Sequence, residues 1–482
     1  MGVNSLKQKT LTGLGWSFTD NLLSQGVAFG VGIVLARLLS PEEFGVIGIV
    51  SIFIAVFTSI VDSGFSGALI RRNNAKEIDY NTVFIFNLVL SCILFFVLYF
   101  LAPGISLFFG NDQLIALTRA MGIILVVNAF GIIQRTILIK KINFKTLAKI
   151  SVLSSVISGS IGMGMAWSGY GVWSLVIQQI SRQSLNSLFL WVFNRWRPRL
   201  QFSIQSFREL FSYGSKMLAS GLLDILKTQV FTAVIGKCYT AEVLGQYTRA
   251  KQFGTIFSDN LTGITQRVSY PVLSSIQDEP ERLKSAYRKI MGTTMFVSLV
   301  CMLGVAAVAR PMILILIGEK WLPSVDCLQI ICFSGICYPL NAINLNILQV
   351  KGRSDIFLKL QIIHVFFYIL PILLGFFVEI KGMLWSTVVI VYILTCFNCH
   401  YSGREIHYTM REQIKDVLPS LGIALFVSGI AYTISFAPFS PYVVLPAQLL
   451  TGATVFYLLC EYTGNKNYFE IKHILLRIQK PN

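Results

Sequence analysis

The chain has 482 residues, is 54% hydrophobic, has a mean hydropathy of +0.66, and yet carries a formal net charge of +17. A soluble basic protein would spread Lys and Arg over its helical faces. Here runs of about 20 residues mostly lack them, the pattern of a polytopic membrane protein with its charge in the loops. Nucleic-acid binding is excluded, because that charge is scattered among short loops with no aromatic-laced basic domain. Anionic leaflet lipid is the default partner of such loops. Most of the nine cysteines fall in apolar runs, where cysteine acts as a small hydrophobe, and they indicate no disulfide framework.

In chain order, apolar runs bounded by charges or turn signals predict first-half spans at 11–35, 44–62, 80–102, 113–134, 148–168 and 171–193. The second half gives 212–235, 245–271, 290–309, 323–349, 356–378 and 382–402, then a pair at 417–437 and 441–461. The first run follows a short polar segment with no cleavage site after it and is read as a retained span. The spans must be helices: lipid-facing backbone has to satisfy its own hydrogen bonds, and the runs are too long for barrel strands. The expected fold is therefore all-α, with about 14 transmembrane helices. Phe207–Glu209 and Glu281–Lys289 are expected as short surface helices. The tail Tyr468–Lys480 alternates apolar and basic residues as an interfacial amphipathic helix does.

Loop charge orients these spans. Of the 40 Lys and Arg, 28 fall on the side that holds both termini and five on the other, Arg37, Lys237, Arg310, Lys320 and Lys381. The positive-inside rule then makes both termini cytoplasmic. A miscounted span would have inverted the bias halfway along the chain.

The first external turn reads Ser40-Pro41-Glu42-Glu43-Phe44-Gly45, and 200 residues later the chain reads Thr240-Ala241-Glu242-Val243-Leu244-Gly245. Each follows a long apolar run with a basic residue near its end, Arg37 or Lys237. Ser40 and Thr240 can cap the next helix, with Glu42 and Glu242 in its positive first turn. The repeat predicts two pseudo-symmetric six-helix lobes, 1–193 and 212–402, joined by a cytoplasmic linker at 194–211. An added helix pair at 403–461 and a basic tail at 462–482 follow.

Three blocks then carry a resemblance: Ala36 through Gly45; Asp62-Ser63-Gly64-Phe65 with Ala68-Leu69-Ile70-Arg71; and Tyr270-Pro271-Val272-Leu273-Ser274 with Asp278 through Arg282. Arg135 to Phe144 and Tyr170 to Trp173 fit the same pattern. The chain resembles the polysaccharide exporters of the multidrug/oligosaccharidyl-lipid/polysaccharide flippase superfamily, in the branch of colanic-acid, teichuronic-acid and O-antigen exporters. The resemblance implies two lobes around a cavity and alternating access. It implies an undecaprenyl-diphosphate-linked glycan as substrate, in a bacterial cytoplasmic membrane, with polysaccharide polymerase and chain-length machinery as candidate partners. Arg37, Pro41, Glu42, Gly45, Asp62, Gly64, Glu242, Gly245 and Pro271 would be its structural motif residues.

Charges inside spans cost about 2.5–3.5 kcal/mol each, so they face water, pair, or snorkel. The candidates are Asp20, Arg182, Asp224, Lys227, Arg249, Lys251, Asp259 and Arg267. Asp224 and Lys227, three apart, can neutralise each other. Arg249 and Lys251 can snorkel to headgroups. Arg182 sits mid-span among Gln178, Gln179, Gln183 and two serines, with no acid in its span; it lines a cavity or bonds a neighbouring helix. The basic set, with Gln178, suits a diphosphate and its sugars. Asp20, Asp224 and Asp259 are the candidates for proton or Na⁺ coupling.

Cys396-Phe397-Asn398-Cys399-His400 matches the c-type haem attachment pattern but ends an apolar span on the cytoplasmic side; neither haem nor any other cofactor or metal is expected. His364 is an interhelical donor or a proton acceptor. No nucleophile–base pair shares a local scaffold, so catalysis is not expected. A cation-coupled multidrug exporter is the alternative within the superfamily. A membrane glycan polymerase or ligase, or a structural assembly protein, is the alternative of another class.

Overall fold

The computed structural model describes residues 23–479 except Ser63 and Asn73; the side chains of Ser220, Asp224, Leu226, Lys227 and residues 474–479 are also outside the description. Asp20 and the start of the expected first span therefore lie outside the described residues. Regular structure among the described residues is entirely helical. The chain is an all-α polytopic membrane protein. Ten helical segments among those residues are long and apolar enough to cross a membrane, or eleven if Ile204–Leu223 and Thr228–Cys238, which meet at 43°, form one span.

The chain divides into two compact units, Met1–Gly245 and Gln246–Asn482. The first holds α1 (Leu23–Leu38), α2 (Pro41–Asp62), α3 (Phe65–Arg71), α4 (Glu77–Phe109), α5 (Gln113–Lys140), α6 (Phe144–Trp167), α7 (Val172–Phe193), α8 (Ile204–Cys238) and the first turn of α9 (Ala241–Ser274). The hairpins α4–α5 and α6–α7 pack through α5 against α7, while α2 lies on α5 and α8 runs along α2, α3 and α4. The second unit contains the rest of α9, then α10 (Pro280–Leu316), α11 (Ser324–Gly335), α12 (Tyr338–Val350), α13 (Ser354–Leu374) and α14 (Ile380–Glu405). It ends with α15 (Met410–Thr433), α16 (Pro441–Thr463) and α17 (Lys466–Gln479). There α10 touches α11, α12, α15, α16 and α17, and α14 packs on α11, α12 and α13.

Helix ends follow local chemistry. Asn143 Oδ1 accepts from Thr146 N at 3.3 Å to start α6, and Thr409 with Glu412 closes a reciprocal box at the start of α15. Gly110 and Gly464 end α4 and α16 in the left-handed conformation.

Two expected surface helices are corrected. Phe207–Glu209 lies within the first two turns of the 35-residue α8, which Ser203 caps, and Glu281–Lys289 begins the 37-residue α10, with Pro280 in its first turn. No breaker separates these basic turns from the apolar runs behind them, so each continues as one helix. Four of the 14 expected spans are not among the ten apolar segments: α1, short within the described residues, the bent α8, and α7 and α9. Gln178, Gln179, Arg182 and Gln183 lower the hydropathy of α7, as Glu242, Arg249, Lys251, Asp259 and Arg267 lower that of α9. The tail helix turns part of its apolar face onto protein: Tyr468 and Ile471 pack against Phe296, Ile423, Val427 and Cys460.

The matched corners are built alike and touch each other. Ser40 Oγ accepts from Glu43 N at 3.3 Å, and the Glu43 carboxylate accepts from Ser40 N at 2.7 Å. Thr240 Oγ1 accepts from Val243 N at 3.3 Å, with no acid at that position to close a second box. A Cβ placed on Gly45 would fall 1.7 Å from the Ala241 carbonyl oxygen, and one on Gly245 would fall 1.8 Å from that of Pro41. Only glycine permits backbones this close.

Candidate substrate-binding site

Within the motif Asp62-Ser63-Gly64-Phe65, α2 ends at Asp62 and α3 begins at Phe65. Gly64 has φ 66°, and a Cβ there would meet the Gly214 carbonyl oxygen at 2.5 Å. Asp62 Oδ1 accepts from Ser66 Oγ at 2.5 Å, and Phe65 packs among Phe86, Phe207 and Phe211. Lys140 Nζ closes the corner by donating to the carbonyls of Leu69 (3.1 Å) and Arg72 (2.6 Å), the negative end of α3. Arg72 in turn pairs with Asp79 at 3.5 Å and Glu209 at 3.0 Å. These contacts join the α2–α3–α4 corner to α5 and α8.

The other motif positions lie at or near helix ends. Pro41 is buried at the start of α2, while Glu42 and Glu242 are exposed in first turns, and Arg37 is exposed near the end of α1. Pro271 lies in the last turn of α9, where its carbonyl accepts from Ser275 N at 3.1 Å.

In the first unit, Arg182 is exposed on α7. It makes no hydrogen bond or ion pair with any described residue. Gln178, one turn earlier on the same face, packs its stem where Gly162 of α6 would otherwise carry a Cβ, 2.7 Å away. On α7's inner side Gln183 donates to Asn128 Oδ1 at 2.7 Å and Ser187 to the Val127 carbonyl at 2.7 Å. Thus α7 spends some polar residues on α5 and leaves its arginine free. Gly159 likewise admits Val31 of α1, whereas Cβ atoms on Gly26 and Gly30 would meet no described atom within 4 Å. The backbone of α8 passes Asp224 and Lys227, whose side chains lie outside the described residues.

In the second unit the charges of α9 divide. Arg249 is buried, donates to Gln252 Oε1 at 2.5 Å and stands over the Trp321 ring at 5.9 Å. Lys251 is half-buried beside the Tyr247 ring at 5.9 Å. Asp259 and Arg267 are exposed.

Sequence reasoning missed a buried polar packet in this unit. Asn344 Oδ1 accepts from Tyr287 and Ser402 hydroxyls, each at 2.5 Å, while its Nδ2 donates to the Leu340 carbonyl (3.1 Å) and Cys399 Sγ (3.4 Å). Nearby, Asn398 Nδ2 donates to Asn341 Oδ1 at 2.9 Å, and Asn398 Oδ1 lies 3.2 Å from His364 Nε2. The signal was the spacing Asn341, Asn344, Asn346 inside one apolar helix.

A family model described as "Polysaccharide biosynthesis protein" matches residues 34–326. The chain belongs to this family. It is 30% identical over 304 residues to the teichuronic acid biosynthesis protein TuaB of Bacillus subtilis (strain 168), covering 62% of this chain and 63% of that one. The lipopolysaccharide biosynthesis protein WzxC of Escherichia coli (strain K12) is 25% identical over 377 residues, 77% of this chain and 76% of its own. The chain thus spans under two thirds of the Bacillus relative. The fold is similar to that of the lipid II flippase MurJ in an inward closed conformation, with a TM-score of 0.74 over 92% of this chain and 98% of MurJ at 14% identity. It is also similar to an inward-facing MATE-family multidrug transporter, with a TM-score of 0.62 over 80% of this chain and 94% of that one at 16% identity.

Proposed function

We propose that the chain flips undecaprenyl-diphosphate-linked oligosaccharide units from the cytoplasmic to the periplasmic leaflet of a bacterial inner membrane, for surface-polysaccharide biosynthesis. It is a membrane transporter, not an enzyme. Fourteen spans with both termini cytoplasmic follow from the loop bias, and the 200-residue repeat supports two six-helix lobes with an added pair and tail. The observation that carries the substrate class is Arg182, an exposed guanidinium partway along α7 with no carboxylate on it. Such a group needs water or an anion at that depth, and a planar fork suits a diphosphate.

The headgroup candidates are Arg182, Gln178 and Lys227 in the first unit and, separately, Lys251 and Arg267 in the second. Arg249, buried over Trp321 and bonded to Gln252, is the least accessible of the basic candidates. Asp20, Asp224 and Asp259 remain the ion-coupling candidates. An inside-negative potential drives export of negative charge by about 2.3 kcal/mol per charge per 100 mV. Deleting the gene in its host and identifying the lipid-linked glycan that accumulates on the cytoplasmic side tests this reading. No such accumulation, with surface polysaccharide intact, would reject it.

A further inference from the structure

A cavity of about 1020 Å³ opens among α10, α15, α16 and the start of α17, away from every residue assigned above to substrate or coupling. Its mouth is polar. Two acids there are already engaged: Asp416 accepts from Arg288 and from the Tyr408 hydroxyl, and Glu470 pairs with Lys289 at 3.1 Å. Lys415 and Lys466 are exposed at the same mouth and carry no bond to a described residue. The opening is left with two free ammonium groups.

From Lys415 the wall descends along one face of α15 through Pro419, Gly422, Ile423 and Phe426, with Leu459 of α16 opposite. The 11 steps from Lys415 to Phe426 rise about 16 Å along the helix, close to the roughly 15 Å of one leaflet's hydrocarbon. Polarity changes along that path from ammonium to aromatic, as it does along a phospholipid. The tail helix fixes the mouth. A Cβ on Gly292 would meet Asn467 Oδ1 at 2.7 Å, so glycine admits Asn467, whose Nδ2 donates to Ser420 Oγ at 3.2 Å.

We propose that this groove binds one diacyl phospholipid with an anionic headgroup, its phosphate between Lys415 and Lys466 and an acyl chain along the α15 face. Basic pockets between spanning helices are known to hold anionic lipid headgroups. The site is separate from the transported glycan lipid and does not depend on the flippase reading, since its test reads lipid retention and not transport.

The full-length protein in detergent is titrated with phosphatidylglycerol and, in parallel, with phosphatidylcholine, and bound lipid is counted by native mass spectrometry. One phosphatidylglycerol is expected to bind in preference to phosphatidylcholine. The exposed pair Lys415→Gln with Lys466→Gln should weaken it by roughly thirtyfold, about fivefold per surface cation. A control of equal net charge, Lys141→Gln with Arg195→Gln, should leave it unchanged. Equal retention by the groove variant, equal loss in the control, or equal binding of phosphatidylcholine would each overturn the proposal. Displacement of phosphatidylglycerol by undecaprenyl phosphate at equal concentration would also overturn it, by assigning the groove to the carrier lipid.

Discussion

Gly45 and Gly245 stand in reciprocal contact: each lies against the carbonyl that precedes the other by four residues, Ala241 for Gly45 and Pro41 for Gly245. The relation is a local two-fold, because 41 matches 241 as 45 matches 245. It turns a short sequence likeness into a geometric one. Gly45→Ala and Gly245→Ala should each destabilise the fold by at least about 3 kcal/mol, the upper end for overpacking, because the clash is with backbone that cannot rotate away. Thermal unfolding of purified variants measures this. A wild-type melting temperature for either variant would contradict the contact.

The loop bias makes a topological prediction. Single cysteines in a background without reactive native thiols should label from the cytoplasm at Lys141, Arg197, Lys284 and Lys472. They should label from outside at Glu42, Asn111 and Glu319. Periplasmic labelling at residue 197 in intact cells would overturn the arrangement.

At Arg182, R182A should reduce glycan export with protein abundance nearly unchanged, and R182K should retain part of it, since Lys keeps the charge but loses the fork. Export assayed at matched expression decides the matter. Full export by R182A removes this residue from the headgroup set.

The charges of α9 should separate in behaviour. R249A removes a buried cation from the Trp321 ring and should cost about 2 kcal/mol, read as a lower melting temperature. D259N and R267Q alter exposed groups and should leave it nearly unchanged while reducing export. A stable R249A would show that its burial contributes nothing to the fold.

Docking of α17 has a pH signature. Its bond to Glu461 raises the Lys472 ammonium above its ordinary value. Raised cations stabilise fully below the unfolded value and lose that contribution as pH rises through the folded one. The tail should therefore stay docked through neutral pH and release in strong alkali, and in K472Q it should already be looser at pH 7. Hydrogen exchange across residues 466–473, corrected for intrinsic rates, reads the difference. Equal protection in K472Q and wild type would rule out the link.

Much of this architecture is legible in the sequence because hydrocarbon imposes it: an apolar run about 20 residues long has few options but a helix. The corner at Ser40–Gly45 is also legible, since capping is local chemistry. What lay beyond reach was who meets whom. Gly45 and Gly245 read as two separate turns until the backbone brings them together. Arg249 reads as a residue that could stretch toward headgroups, and only the placement of Trp321 shows that it is buried instead. The three asparagines of α12 announce polarity, but their partners sit on α9, α10 and α14. At Arg182 the sequence supplied the absence of a local acid, and the structure supplied the exposure.

Asn344 makes the packing of three helices discrete. All four of its amide's hydrogen-bonding positions are filled at once, by groups from α10, α12 and α14. Leucines can slide past one another by fractions of an ångström with little change in energy, whereas a shift of α12 by one residue here would strand several bonds in an apolar interior. The joint therefore has one seated position and no continuum beside it. Moving any one of the three helices must either carry the other two with it or break bonds that no water can replace.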